Sequence, residues 1–247
     1  MKRLTIFVAA AIALGAAVPA LAADLPARTY TKAPTIVPAA VYDWSGFYIG
    51  LNGGGGFSHN NWDLLTGVTG PEGSHDASGG TIGGQIGYRW QMTNWVFGLE
   101  AQGNWADFRG DNVSLVIPTN RNQTRLDAFG LFTGQIGYAW NNALLYVKGG
   151  AAVTDDRYRI FSVPTGALLA TANDTRWGSA VGVGFEYGLA PNWSLGFEYD
   201  HLFLDGRNES FTTPAGLAFG TDRIRQDVDL FTARLNYKFG GPVVARY

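Results

Sequence analysis

The sequence predicts an all-β protein, an antiparallel barrel of eight strands that crosses a membrane, and three observations lead to this prediction. The first is a repeat, because Gly84–Trp90 and Gly134–Trp140 agree at six of seven positions. The second is composition: the 247 residues include 34 glycines, 46% are hydrophobic and 15% are charged, where soluble domains carry roughly 25% charged residues. The third is the spacing of the connections, which alternate between short and long.

Each copy of the repeat reads as one strand of a hairpin. In the first copy Ile86, Tyr88 and Trp90 share one parity, and polar residues or glycines occupy the other. A period of two residues is typical of a strand with two unlike faces. Each copy ends in tryptophan, and a short polar break precedes the next apolar run. Because a repeated unit usually forms one supersecondary element, the chain is predicted to be a series of hairpins.

The N-terminus has the three parts of a secretory signal peptide. Lys2 and Arg3 precede the apolar run Leu4–Val18, and Ala20-Leu21-Ala22 follows as a cleavage site. The apolar run is short for a membrane span of about 20 residues, so we predict a signal peptide over residues 1–22 instead of an anchor. The chain contains no cysteine, which excludes disulfides, and its net charge of −2 predicts no strong attraction to nucleic acid.

Residues 23–43 contain Pro26, Pro34 and Pro38 and lack periodicity, which favours an extended periplasmic leader. The barrel is expected over residues 44–239. A short C-terminal tail, residues 240–247, is expected to follow, since Gly240-Gly241 offers no side chains to pack and Pro242 cannot donate a ladder hydrogen bond.

Eight segments alternate an apolar face with a polar or glycine face. At about 3.3 Å per residue and a tilt near 40°, ten residues cover roughly the 25 Å apolar band of an outer-membrane barrel. The predicted strands are about Trp44–Phe57, Ser78–Trp90, Trp95–Ala106, Arg125–Trp140, Leu144–Thr154, Thr175–Leu189, Trp193–Leu204 and Asp227–Phe239.

The connections and the tryptophans orient the apolar face toward lipid. Short breaks follow the second, fourth and sixth strands, whereas the four other connections are long surface loops of about twenty residues, as in outer-membrane barrels with turns in the periplasm. Tryptophan favours a membrane interface because its ring is apolar and its N–H needs a partner. A girdle at the short-turn side is predicted from Trp44, Trp90, Trp95, Trp140 and Trp193, with Trp105 and Trp177 at the opposite rim.

With these strands, Ala23-Asp24-Leu25-Pro26, the opening Trp44–Gly50 and the closing Leu235–Phe239, the chain resembles a known family. It is similar to the small eight-stranded outer-membrane proteins of the OmpA-like barrel class, in particular the immunogenic proteins of alphaproteobacterial type, from about residue 44 to residue 239. The resemblance implies a Gram-negative outer membrane, outer-membrane lipids and lipopolysaccharide as neighbours, and surface or host contacts through the loops.

In that family the assembly machinery reads an aromatic-x-aromatic end of the last strand, which Tyr237-Lys238-Phe239 matches. Two departures stand beside the match. Arg234 occupies a position where the family often has glycine, and eight residues follow Phe239, so both Phe239 and Tyr247 are candidates for the terminal signal.

The ionisable residues with inward parity are predicted to pair, because unpaired charges are costly in a narrow lumen. Gly50, Gly182 and Gly184 would make room for long side chains. Since strand number sets the diameter, a lumen plugged by side chains is favoured over a narrow diffusion pore. The predicted cations are Arg89, Lys148, Arg234 and Lys238, the predicted carboxylates are Glu100, Asp127, Glu186, Glu198 and Asp200, and Arg125 and Arg176 lie nearer the rim.

No catalytic, cofactor or metal residues are predicted. His201 has lipid-facing parity, and no serine stands beside it as the nucleophile of a lipid-modifying enzyme. Gly53–Gly56 lacks the Lys-Ser/Thr of a phosphate-binding loop, and Gly182–Gly188 lacks the spacing of a dinucleotide-binding fingerprint. No Cys/His metal spacing occurs. The sequence therefore favours a structural outer-membrane protein, not an enzyme, that presents surface loops. A narrow channel is the alternative, and a lipid-modifying enzyme is a remote one.

Overall fold

The computed structural model describes residues 42–67 and 69–240, which form one closed antiparallel barrel of eight strands. The predicted signal peptide, most of the predicted leader and nearly all of the predicted tail lie outside these residues. The strands are β1 Gly46–Leu64, β2 Gly70–Met92, β3 Trp95–Val113, β4 Asn120–Trp140, β5 Ala143–Ser162, β6 Leu168–Ala190, β7 Trp193–Thr212 and β8 Ala218–Lys238.

Each strand pairs with its neighbours in the sequence, and β1 pairs with β8 to close the ring. The closing register runs from Tyr48 opposite Lys238 to Leu64 opposite Asp222. In the described part of the chain, no helix is long and apolar enough to cross a membrane. The closed ring of eight strands confirms the eight-stranded antiparallel barrel predicted from the sequence.

The two ends of the barrel differ. At one end, hereafter the turn end, two residues join β2 to β3, β4 to β5 and β6 to β7. The other end, hereafter the hairpin end, carries the four connections that were predicted as loops of about twenty residues. That prediction is wrong in form, because most of these residues continue the ladders and only five or six residues join the strands there.

The predicted strands are too short, because apolar and polar residues exchange faces toward the hairpin end. Toward the hairpin end of β5, Arg157 faces outward while Tyr158 and Ile160 face the interior and are buried. The apolar outward face therefore ends where the outer surface becomes polar, and the predicted strands end there too. We call this part of the barrel the extension; it comprises residues 58–64, 70–79, 106–113, 120–127, 154–162, 168–176, 204–212 and 218–228.

The outer wall below the extension is apolar and ends in aromatic side chains at the turn end. Trp90 stacks on Phe97, and Trp95 meets Tyr138 edge to face. The four tryptophans Trp90, Trp95, Trp140 and Trp193 are 40–51% exposed on this wall, as the girdle requires. Trp105 and Trp177 also face outward, near the start of the extension.

The interior is filled in layers. A cluster at the turn end contains Tyr42, Trp44, Val96, Ala139, Leu144 and Tyr146. Above it lie paired charges, and above these an apolar layer that includes Phe108, Leu126, Phe129, Leu131, Leu202 and Leu230. A second apolar layer inside the extension contains Trp62, Tyr158, Ile160, Ala170, Ala172, Phe211 and Ile224.

Candidate functional site

Seven of the charged residues that face the lumen lie together and form the ion-pair cluster, namely Arg89, Glu100, Lys148, Glu186, Glu198, Asp200 and Arg234. Its centre is the Arg234 guanidinium on β8, which pairs with Glu100 of β3 and Glu198 of β7. These three side chains are at most 1% exposed. A buried carboxylate is tolerated only with partners, so the arginine and both glutamates depend on one another.

Tyrosine hydroxyls bond the same Oε2 atoms of these two glutamates that Arg234 contacts. Tyr48 donates to Glu100 Oε2 at 2.6 Å, and Tyr146 donates to Glu198 Oε2 at 2.5 Å. The Arg234 side chain thus lies between two tyrosine–glutamate pairs from opposite sides of the barrel. Such charge-assisted bonds fix the geometry of the cluster as well as its charge.

Two further cations complete the cluster. The Lys148 ammonium lies 2.5 Å from Glu198 Oε1 and 3.1 Å from Asp200 Oδ1. Arg89 Nη2 lies 2.8 Å from Glu186 Oε2, and its guanidinium stacks over the Tyr48 ring at 4.5 Å. The inward orientation predicted for these side chains is therefore confirmed, and each of these charges has an opposite charge beside it.

Glycines make room for this cluster. A Cβ at Gly182 would lie 2.1 Å from Asp200 Oδ1, and one at Gly184 would lie 2.3 Å from the Tyr146 ring. Even an alanine at either position would displace these side chains. Gly50 is similarly close to Asn236 and Gln85, so the three glycines predicted to make room do border large polar or aromatic side chains.

Residues that precede β1 close the turn end of the barrel. Trp44 is 2% exposed and packs against Tyr42 inside the barrel, so its predicted place in the outer girdle is wrong. The physical reason is that it lies before the first ladder residue and folds into the mouth, where Gln91 Oε1 accepts its backbone N–H at 2.9 Å. Asp43 accepts hydrogen bonds from the Lys238 ammonium. The last residues of the predicted leader are therefore part of the plug.

Asp127 was predicted to face the lumen, and this is wrong. The register of β4 against β5 shifts between Leu126 and Ala128, so a bulge turns Asp127 outward. There its carboxylate lies 2.6 Å from Arg125 Nε and 2.9 Å from Arg157 Nε. Without it, four cations and four carboxylates of the predicted lumen set remain inside.

Arg176, placed near the rim by the sequence, is buried inside the extension. It donates to the Ile224 carbonyl at 3.1 Å and lies 3.2 Å from Asp174 and 3.5 Å from Glu209. Next to it, the Asp156 carboxylate accepts from Thr154 at 2.7 Å. Burial raises the pKa of Asp156 to about 6.

His201 lies on the outer wall, as its parity predicted. Its Nδ1 is 2.7 Å from Asp229 Oδ1 on the neighbouring strand, and the Tyr199 hydroxyl donates to the same oxygen at 2.6 Å. The sequence reading missed Asp229, because strand pairing, not sequence spacing, brings it beside His201. Within the described residues, no group of three or more His, Cys, Asp or Glu is arranged to hold a metal ion.

The outer face of the extension is rich in arginine, and the wall below it has none among the described residues. One group, which we call the arginine patch, consists of Arg109, Arg125 and Arg157, with Asp107 and Asp127 between them. It lies just beyond the exposed Trp105. Eight arginines of the extension are exposed or partly exposed, namely Arg109, Arg121, Arg125, Arg157, Arg159, Arg207, Arg223 and Arg225.

A second repeat could have located the centre of the cluster from sequence. Trp95-Val-Phe-Gly-Leu-Glu100 and Trp193-Ser-Leu-Gly-Phe-Glu198 share tryptophan, glycine and glutamate at the same spacing. Both glutamates face Arg234. The pattern places an inward carboxylate five residues after each tryptophan that opens a strand.

The chain matches the family model described as "Outer membrane protein beta-barrel domain" over residues 8–239. It is 32% identical to the 31 kDa outer-membrane immunogenic protein of Brucella melitensis, an alignment that covers 93% of this chain and 98% of the relative. A protein of the same name from Brucella suis matches equally well. Among solved structures, the outer membrane protein OprG of Pseudomonas aeruginosa superposes with a TM-score of 0.51 at 16% identity, covering 81% of this chain and 99% of OprG.

The identity to the Brucella proteins extends over nearly their whole length, and the similarity to OprG shows the same barrel fold. The aromatic girdle, the apolar wall and the short turns at one end are also features of outer-membrane barrels. The chain therefore belongs to the outer membrane protein beta-barrel domain family and is a protein of the outer membrane.

Proposed function

We propose that this protein is a structural component of the outer membrane whose lumen is closed to ions and whose extension presents a contact surface. The observation that carries the proposal is the filling of the lumen. The ion-pair cluster and two apolar layers follow one another along the barrel axis. The cavity bordered by Tyr42, Arg89 and Lys238 measures about 10 Å³, which is room for roughly one water molecule.

Conductance in planar bilayers tests the closed lumen. The full-length mature chain is refolded, its insertion is checked by heat-modifiability, and currents are recorded beside a large-pore barrel as a positive control. We expect no stepwise conductance from this protein, because eight strands enclose only enough space for side chains. Steady, ion-selective steps would replace the proposal with the narrow-channel alternative.

We also propose that the arginine patch binds the phosphate groups of lipopolysaccharide. Guanidinium groups pair with phosphate through two parallel hydrogen bonds, which are short because both groups are charged. The patch contains three cations and two carboxylates and lies next to Trp105, where the apolar wall gives way to polar surface. Phosphates of the outer leaflet would lie at this level.

Two triple variants test this assignment. Replacing Arg109, Arg125 and Arg157 by glutamine should weaken lipopolysaccharide binding at least tenfold, which corresponds to about 1.4 kcal/mol. The control replaces Arg121, Arg159 and Arg223, which lie nearer the hairpin end, and should leave binding within about twofold because it alters charge away from the phosphate level. Equal losses in both variants, measured by titration into detergent-solubilised protein, would contradict a site at the patch.

The proposal contains no catalytic step. The imidazole of His201 and the hydroxyl of Tyr199 both bond Asp229, so this hydroxyl is bound to the acid instead of the base. Nucleophilic catalysis needs a hydroxyl that is hydrogen-bonded to the base. Lipid A from cells that express the protein should keep its mass; a mass shift that depends on His201 would favour the enzyme alternative.

A further inference from the structure

A cavity of about 130 Å³ lies at the hairpin end, inside the extension. Leucine, isoleucine and phenylalanine supply five of its ten lining residues, and two carboxyl groups face it. Phe219 and Ile117 are partly exposed at its opening, whereas Phe211 and Ile160 are buried deeper. We call this the mouth cavity; it is lined by Leu64, Thr66, Glu72, Ile117, Asn120, Ile160, Phe211, Phe219, Gly220 and Asp222.

The two carboxyl groups differ in their partners. Glu72 is 2% exposed and accepts from the Ser114 hydroxyl at 2.8 Å and from Asn122 Nδ2 at 2.7 Å, so each of its oxygens has a donor. Asp222 is 1% exposed, and neither of its oxygens has a hydrogen-bond partner among the described residues. A buried carboxylate without donors is costly, so the Asp222 site favours a positively charged or donating group.

None of the residues that line the mouth cavity is basic. The nearest buried arginine of the extension, Arg176, is bound to Asp174, Glu209 and the Ile224 carbonyl. Burial, reinforced by the negative charge of Glu72, raises the pKa of Asp222 to about 7. The fold therefore gathers negative charge at this cavity without supplying the cation that would balance it.

The wall chemistry decides between a metal ion and an organic cation. Calcium takes six to eight oxygen ligands, and magnesium requires a near-octahedral oxygen shell. Here four of the ten lining residues carry side-chain oxygens, namely Thr66, Glu72, Asn120 and Asp222. Glu72 already has a donor on each oxygen, and Thr66 Oγ1 already accepts the Thr221 N–H. An ammonium group needs only a few acceptors, and the apolar walls suit a hydrocarbon body attached to it. The Phe211 ring can add a cation–π contact.

We propose that the mouth cavity binds a small organic cation, a primary ammonium group carried on an apolar body. Asp222 accepts the ammonium N–H groups, Glu72 adds negative charge, and Phe211 and Phe219 contact the hydrocarbon part. This activity is additional to the structural role proposed above and does not depend on the lumen being closed.

Calorimetric titration of the refolded full-length mature chain at pH 8 tests the proposal, with phenethylammonium as the probe. The neutral analogue 2-phenylethanol has nearly the same shape and should bind at least tenfold more weakly. Calcium chloride alone should give no saturable heat at the cavity. Binding of the neutral analogue as tight as that of the amine, or calcium binding without amine binding, would overturn the assignment.

Variants locate the site. Asp222→Asn keeps the shape of the side chain, removes its charge and should weaken amine binding at least tenfold. The matched control is Asp227→Asn, an exposed aspartate that faces outward on the same strand, and it should bind within twofold of the wild type. Phe219→Ala at the opening should weaken the amine severalfold and provides a second test should Asp222→Asn fold poorly. Amine binding unchanged in both Asp222→Asn and Phe219→Ala would refute the site.

Discussion

Arg234 connects more of the lumen than any other side chain of the ion-pair cluster. It pairs with Glu100 and Glu198 and also donates to the Tyr146 hydroxyl at 3.1 Å. Lys148 can neutralise Glu198 but lies 3.9 Å from Glu100 Oε1, so Glu100 relies mainly on the arginine. Arg234, whose position is often glycine in the family that the chain resembles, thus neutralises both glutamates.

Replacing Arg234 by alanine should therefore destabilise the barrel. Removing one partner of a buried ion pair typically costs about 3–5 kcal/mol, because the other charges stay buried without compensation. The free energy of unfolding by urea in lipid vesicles measures this. Arg223→Ala, on the outer face of the same strand, is the control and should change stability by less than about 0.5 kcal/mol. Similar losses in both variants would mean that the lumen pairs contribute little.

Asp222 makes the stability of the extension depend on pH. Its pKa is raised from 3.8 to about 7 in the folded protein, so the folded state holds a proton that the unfolded state has already released. The resulting stability is lost as pH rises from about 4 to about 7, and the total change is up to about 4 kcal/mol. Asp222→Asn should remove part of this dependence, while the buried Asp156 and Glu209 retain theirs.

Amide hydrogen exchange, corrected for its intrinsic dependence on pH, provides the measurement. Protection in the extension should fall between about pH 4 and about pH 7 in the wild type and fall less in Asp222→Asn. Protection in the apolar wall should not follow this trend, because the wall residues lie away from Asp222. An Asp222→Asn profile identical to the wild type would show that this carboxyl is not the cause.

At the scale of elements, the turn asparagines tie each hairpin to the next. Asn94 Nδ2 donates to the Ala139 carbonyl at 2.8 Å, and the Asn94 carbonyl accepts the Ala139 N–H at 2.7 Å. Asn192 makes the corresponding pair of bonds with Lys238 at 2.7 and 2.8 Å. These bonds join β3 to β4 and β7 to β8 at the turn end, in addition to the ladders.

Asn192→Ala should weaken this link without altering the turn itself. Asn192 Nδ2 donates to the carbonyls of both Lys238 and Gly240. Each lost bond is worth about 0.5–1.5 kcal/mol, and both carbonyls would then turn to water. Unfolding in urea should show this decrease, while Asn208→Ala, an exposed asparagine on the outer face of β7, should show less than about 0.5 kcal/mol. A larger effect of the control would argue against a role for the turn asparagines.

The sequence predicted the elements well where one face meets lipid and less well beyond it. In the wall, apolar residues at every second position identify all eight strands. In the extension the apolar residues lie inside, as Tyr158 and Phe211 do, and arginines and aspartates cover the outside. These interior apolar residues have the parity opposite to that of the lipid-facing residues, so an apolar outward face gives no sign of them.

The candidate site divides in the same way. Alternation alone placed Arg89, Lys148 and Glu198 in the lumen. It could not place Asp127, because a one-residue bulge in β4 reverses the parity and leaves no mark in the hydrophobic pattern. Nor could it find Asp222 and Glu72 in one cavity, since 150 residues separate them and only the closure of the barrel brings β8 near β2.

At the scale of the whole molecule, the barrel is complete only when β8 pairs with β1. In hydrocarbon an open sheet edge would leave backbone N–H and C=O groups without partners, so closure is obligatory. The ladder reaches Lys238 opposite Tyr48, and the Phe239 N–H still donates to the Phe47 carbonyl at 2.8 Å. The Phe239 ring packs on Phe47 and Tyr237, with centroids 5.6 and 5.1 Å apart.

This arrangement leads to a prediction about the end of the chain. Phe239→Asp should sharply reduce the amount of folded, membrane-inserted protein, because it places a charge at the closing seam among aromatic rings and alters the aromatic-x-aromatic end. Tyr247→Asp, outside the described residues, should reduce insertion far less, and removal of residues 241–247 should leave a barrel of full strand number. Heat-modifiability of membrane fractions quantifies the folded protein for each variant. If Tyr247→Asp abolishes insertion while Phe239→Asp does not, the last residue of the chain is the assembly signal, and the closing seam contributes to stability without directing insertion.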